Sequence, residues 1–153
     1  MFGKPTEKQI DLGLLIMRLV LGTIFIAHGG QKLFTMGLDG VAGGFGQMGV
    51  PMASVMGPLV AFLEFFGGFA IIGGFLTRLV SLGLASTMIG AITLVHAKNG
   101  FFNPGGIEFP LSLLGTAIVL AITGAGSYSL DRVVGRKKAV EATASDSRLR
   151  RAA

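Results

Sequence analysis

Four apolar runs, each near the length needed to cross a lipid bilayer, dominate the chain and leave few alternatives for its fold. A spanning helix needs roughly 17 to 25 residues. The runs extend from about Leu12 to Phe34, Val55 to Leu76, Leu79 to Ala97 and Phe109 to Ala125. The last is short, so it begins within the preceding loop or sits in locally thinned lipid. Only 14% of the 153 residues are charged and the mean hydropathy is +0.71. A soluble domain of this size carries about a quarter charged residues, so the composition opposes one. A cleaved signal peptide is the rival reading of the first run, but Arg18 inside it and its length oppose that reading. The sequence therefore predicts an all-α integral membrane four-helix bundle.

Charge sets the expected orientation. With four spans both termini face one side, which collects Lys4, Lys8, Arg78, Arg132, Arg136, Lys137, Lys138, Arg148, Arg150 and Arg151. The opposite side receives Lys32 and Lys98. Positively charged loops stay cytoplasmic, so both termini are expected there, in a multi-pass protein of the cell membrane. The net charge of +5 lies largely in the tail, without interleaved aromatics, so lipid rather than nucleic acid is the expected partner.

Glycine, 25 of 153 residues, allows close backbone approach where lipid removes any gain from hiding apolar surface. In the first loop Leu38, Val41, Ala42, Phe45 and Met48 recur at helical spacing. They predict a short amphipathic surface helix on the outer face, ended by Pro51. The chain then divides into an N-terminal segment (1–11), a transmembrane domain (12–130) and a basic, disordered tail (131–153). Gly44, Gly46 and Gly49 spell a dinucleotide-binding pattern, but without the strand and βαβ unit that give it meaning.

Ionisable residues inside spans are costly and point to function or to a partner. Arg18 and Glu64 fall at heights about 7 Å apart by helical rise, so an Arg18–Glu64 ion pair inside the bundle is expected. His28, Lys32, His96, Lys98, Asn99 and Glu108 all reach the outer third, above Glu64, which predicts a polar cavity there. The candidate catalytic groups are His28, Glu64 and His96. The candidate ligand-binding set is Arg18, His28, Lys32, Glu64, His96, Asn99 and Glu108. Two histidines and two carboxylates are suitable metal ligands, but their spacing matches no metal motif and Lys32 opposes a cation, so no metal is assigned. Cysteine is absent, which excludes thiol chemistry, a disulfide and an iron–sulfur cluster built on this chain alone.

Several ordered blocks resemble the DoxX family. They are Arg18-Leu-Val-Leu-Gly22 with His28-Gly-Gly-Gln-Lys32-Leu-Phe34, Glu64-Phe-Phe-Gly67-Gly68, and Gly73-Gly74-Phe-Leu-Thr77-Arg78. Lys98-Asn99-Gly100-Phe101-Phe102, Glu108-Phe-Pro110 and Gly124-Ala-Gly126-Ser-Tyr-Ser-Leu130-Asp131 complete the likeness, which covers residues 10–131. The resemblance implies a small four-helix membrane protein that serves as an oxidoreductase or its subunit, with relatives linked to quinone chemistry and to oxidative stress. Two histidines near one surface are poor axial ligands for a buried haem, so electrons need a quinone or a partner's cofactor. The expectation is a membrane redox accessory holding a quinone-like ligand, with soluble redox enzymes as partners and a homo-oligomer open to it. A non-catalytic scaffold and a small transporter are the alternatives.

Overall fold

Each apolar run forms a helix whose ends are set by local chemistry. The computed structural model describes residues 3–135. Helix α1 (Glu7–Gly30) starts earlier than its apolar run because Thr6 and Gln9 make a capping box. The Gln9 amide donates to Thr6 Oγ1 at 3.3 Å, and the Thr6 amide donates to Gln9 Oε1 at 2.8 Å. Beyond Gly30 the helix widens into a π-helical stretch, Gln31–Met36, until Gly37 at φ 71° redirects the chain into α2 (Gly37–Gln47). This is the expected amphipathic helix. It ends before Pro51, where Gly49 turns the chain at φ 80°. Val41 of α2 is fully buried, and a Cβ placed on Gly57 of α3 (Ala53–Gly73) would lie 3.2 Å from the Ala42 backbone. Helix α2 is therefore seated tightly on α3.

Gly74, at φ 65°, ends α3 and opens a tight turn into α4 (Thr77–Gly90). The α4 run continues through a second π-helical stretch, Ala91–His96, and a single 3₁₀ turn, Ala97–Asn99. Helix α5 (Glu108–Thr123) follows. The segments Glu7–Gln47, Ala53–Gly73 and Thr77–Asn99 are long and apolar enough to cross a membrane. At 16 residues α5 is shorter, about 24 Å long by helical rise. The protein is an all-α integral membrane bundle, with no strand among the described residues.

Helix α1 packs chiefly on α3, and α4 on α5. The first pair is brought together by glycine. A Cβ on Gly22 would sit 2.6 Å from the Gly68 carbonyl oxygen, and one on Gly68 would sit 2.7 Å from that of Gly22. Gly29 lies as closely against the backbone of Phe65. Such contact gains dispersion and excludes lipid, the forces that associate helices in a bilayer. Leu21, Phe25, Ile71, Leu84, Ala117 and Leu120 fill the centre. Phe62, Phe66, Phe69, Leu79, Leu82 and Ile122 point outward, as suits a surface solvated by acyl chains.

Residues 130–135 are helical, so the segment after the bundle opens with order. The expected tail beyond residue 135 lies outside the described residues.

Candidate ligand cavity

The buried charges separate into two groups at opposite ends of the bundle. Arg18 is 1% exposed and does not pair with Glu64. Its Nε donates to Ile71 O at 3.0 Å, Nη2 to Ile72 O at 2.8 Å, and Nη1 to Tyr128 O at 2.8 Å and to Ala125 O. The reason is register. The Gly22–Gly68 and Gly29–Phe65 contacts set α1 antiparallel to α3 so that Arg18 meets the end of α3. Glu64 then lies seven residues, about 11 Å, further along α3. Arg18 thus joins the carbonyl end of α3 to main-chain carbonyls in the loop after α5.

Around Arg18 the same end is closed by two carboxylates. Asp131 Oδ1 and Oδ2 accept from the Leu76 and Thr77 amides at 2.8 and 3.0 Å, capping α4, while its own amide donates to Gly74 O at 2.8 Å. Asp11 Oδ1 accepts from the Ser127 amide at 2.9 Å. A Cβ on Gly74 would approach Ser129 and the Arg18 guanidinium, at 2.5 and 3.0 Å, so glycine is required there for space as well as for its φ. These polar residues are structural in their contacts. The two capping aspartates escaped the sequence reading, although an Asp just beyond a glycine-rich loop is a signal for such a role.

At the loop end lies a cavity of about 390 Å³. His28 and Lys32 from the α1 run, Glu64 from α3 and His96 from the α4 run all line it. Its walls are apolar, among them Phe25, Leu63, Met88 and Leu113, and α2 with the turn after it contributes Phe45, Met48 and Val50. Glu64, whose side chain is 4% exposed, forms an ion pair with Lys32, at 19%. Lys32 and His96 both sit in π-helical stretches, whose wider turns shift side-chain direction. A carbonyl has no proton to give, so the 2.7 Å contact of the His96 ring with Gly105 O places a hydrogen on Nδ1. The ring of His28 lies 6.0 Å from that of Phe109.

Arg18, Asn99 and Glu108, the other expected ligand-binding residues, do not line this cavity. Asn99 Nδ2 donates to Gly105 O at 3.1 Å, and Glu108 Oε1 accepts from the Asn103 amide at 2.8 Å. Both shape the loop before α5, whose glycine and proline turns leave backbone groups for side chains to satisfy. Among the described residues no three His, Asp or Glu side chains come together as a metal site would need.

The Lys32–Glu64 ion pair thus lines a largely apolar chamber. The chamber sets an ammonium, a carboxylate and an imidazole beside aromatic and aliphatic surface, a combination typical of small-molecule sites. Residues 13–97 match the family described as DoxX. The chain is 38% identical over 132 residues to "Putative oxidoreductase CatD" of Bacillus subtilis, covering 86% of this chain and 94% of that protein. It is 38% identical over 133 residues to "Inner membrane protein YqjF" of Escherichia coli, covering 86% and 98%. A further relative, "Inner membrane protein YphA" of Escherichia coli, is 31% identical over 139 residues, covering 83% and 98%. No solved structure gives a significant match. The Arg18 and Glu64 segments lie within the matched residues, and the relatives align along nearly their whole length: the chain belongs to the DoxX family.

Proposed function

We propose that the protein is a membrane redox accessory that holds a quinone-like ligand in the loop-end cavity. The observation that carries this reading is the Lys32–Glu64 ion pair at the base of an otherwise apolar chamber. A quinone ring needs donors at its oxygens and apolar walls at its faces, and this site supplies both. The Lys32 ammonium donates to a carbonyl oxygen, and the Nε2 of neutral His96 accepts from a hydroxyl. Glu64 holds Lys32 in place. The ligand supplies the electron-carrying chemistry, exchanging two electrons and two protons with a cofactor of a soluble redox partner. The relative named as an oxidoreductase supports that theme. The charge asymmetry of the loops supports cytoplasmic termini, which places the cavity towards the opposite face of the cell membrane.

The test is extraction of the protein from its own membranes in mild detergent, with mass spectrometry of co-purified lipid and titration with added quinone. Saturable binding is expected, weakened about tenfold or more in Lys32→Met, the loss of one charge-assisted hydrogen bond. His28→Ala should also weaken it. An absence of saturable binding, or wild-type affinity in both variants, overturns the proposal.

A further inference from the structure

The cavity is not closed on all sides, and one open side lies between α3 and α4. Near the terminal end these helices touch. A Cβ on Gly67 would be 3.2 Å from Val80, and one on Gly83 would be 3.3 Å from Leu63. That antiparallel register carries Gly90 to the level of Met56. There a Cβ on Gly90 would meet nothing within 4 Å. Met56 and Leu59 of α3 and Ser86 and Gly90 of α4 line the cavity, as does Leu94 just beyond. Leu59 and Leu94 are also 55% and 44% exposed on the outside of the bundle. The same residues belong to the chamber and to the surface that faces acyl chains. At the loop end α2 is packed down on Gly57 and contributes Phe45 and Met48 to the wall.

From this we infer that the α3–α4 gap is a lateral doorway, through which an amphiphile with a long apolar tail enters from the bilayer and leaves its tail outside. The inference rests on the reading of the cavity given under Proposed function. Volume supports it: about 390 Å³ is at the small end of ligand sites, ~300–1,000 Å³, and holds a ring with only a short length of chain. A longer tail must leave by an apolar path. The gap supplies one at a level where the surroundings are hydrocarbon, and exit past α2 would carry the tail into the polar interface.

Gly90 makes the test clean. A larger side chain there enters open space and favours the helix over glycine, so folding is retained, which thermal unfolding verifies. Two probes are titrated into the full-length protein in nanodiscs: 2,3-dimethoxy-5-methyl-1,4-benzoquinone and the same ring carrying a decyl chain. In Gly90→Leu the decyl probe should bind about tenfold or more weakly, as when two methylenes lose their burial, while the tail-less ring binds unchanged. Ser86→Phe should act in the same sense from one turn away. Unchanged binding of both probes in both variants overturns the doorway and leaves the chamber intact as a quinone site. Equal weakening of both probes also overturns it, since the substitution then acts on the ring. If neither probe binds the wild-type protein, the quinone reading itself fails and the doorway with it.

Discussion

The two ends of this bundle use charge in opposite ways. At the terminal end Arg18, Asp11 and Asp131 bond to main-chain groups at a helix end or in a loop. At the loop end Lys32 and Glu64 bond to each other beside a cavity. Burial alone does not distinguish these cases, because Arg18 and Glu64 are both almost inaccessible and yet only Glu64 lines the loop-end cavity. An intramembrane charge points to a ligand when its surroundings leave room, and to architecture when carbonyls consume its donors.

The largest expected effect breaks the terminal end. Arg18→Met leaves three carbonyls, Ile72 O, Ala125 O and Tyr128 O, without their donor, each unpaired group costing about 1–3 kcal/mol when water cannot replace it. A loss of at least about 3 kcal/mol is expected, visible as failure to recover folded protein by size exclusion in detergent, against a typical total of about 5–15 kcal/mol. Arg18→Lys should rescue only part of it, since an ammonium lacks the planar fork that reaches α3 and the loop after α5 at once. Next in size, Asp131→Ala removes the cap of α4 and should lower stability by about 1 kcal/mol in thermal unfolding, with ligand binding untouched.

The smallest effect sharpens the other side. Replacing both partners of the ion pair, Lys32→Met with Glu64→Leu, should leave stability within about 1 kcal/mol of wild type or raise it. Lys32→Met alone should be the less stable of the two, because it leaves Glu64 buried without a counter-charge. A double variant as unstable as Arg18→Met would erase the distinction between the two ends.

Much of the fold was readable in the residue pattern. Hydropathy located the spans, and the three-and-four spacing of Leu38, Val41 and Phe45 located α2, because both report on a solvent boundary. Pairing was harder. Helical rise places Arg18 and Glu64 at similar heights, but it contains no information on register, which is set by Gly22 against Gly68. Once those glycines meet, Glu64 is level with the far end of the α1 run and Lys32 becomes its partner. His28, Lys32, Glu64 and His96 were legible as a group because each sits on the same side of its span. Asn99 and Glu108 misled for a physical reason: a loop rich in glycine and proline consumes nearby polar side chains for its own backbone.

The grip of Arg18 also bears on how the chain enters the membrane. Its acceptors lie 53, 54, 107 and 110 residues downstream, the last two beyond α5. An arginine near the centre of an isolated inserting helix costs about 2.5–3.5 kcal/mol. During synthesis only the α3 carbonyls of Ile71 and Ile72 can receive the guanidinium before α5 is made, and its remaining bonds close when the segment after α5 reaches back to α1.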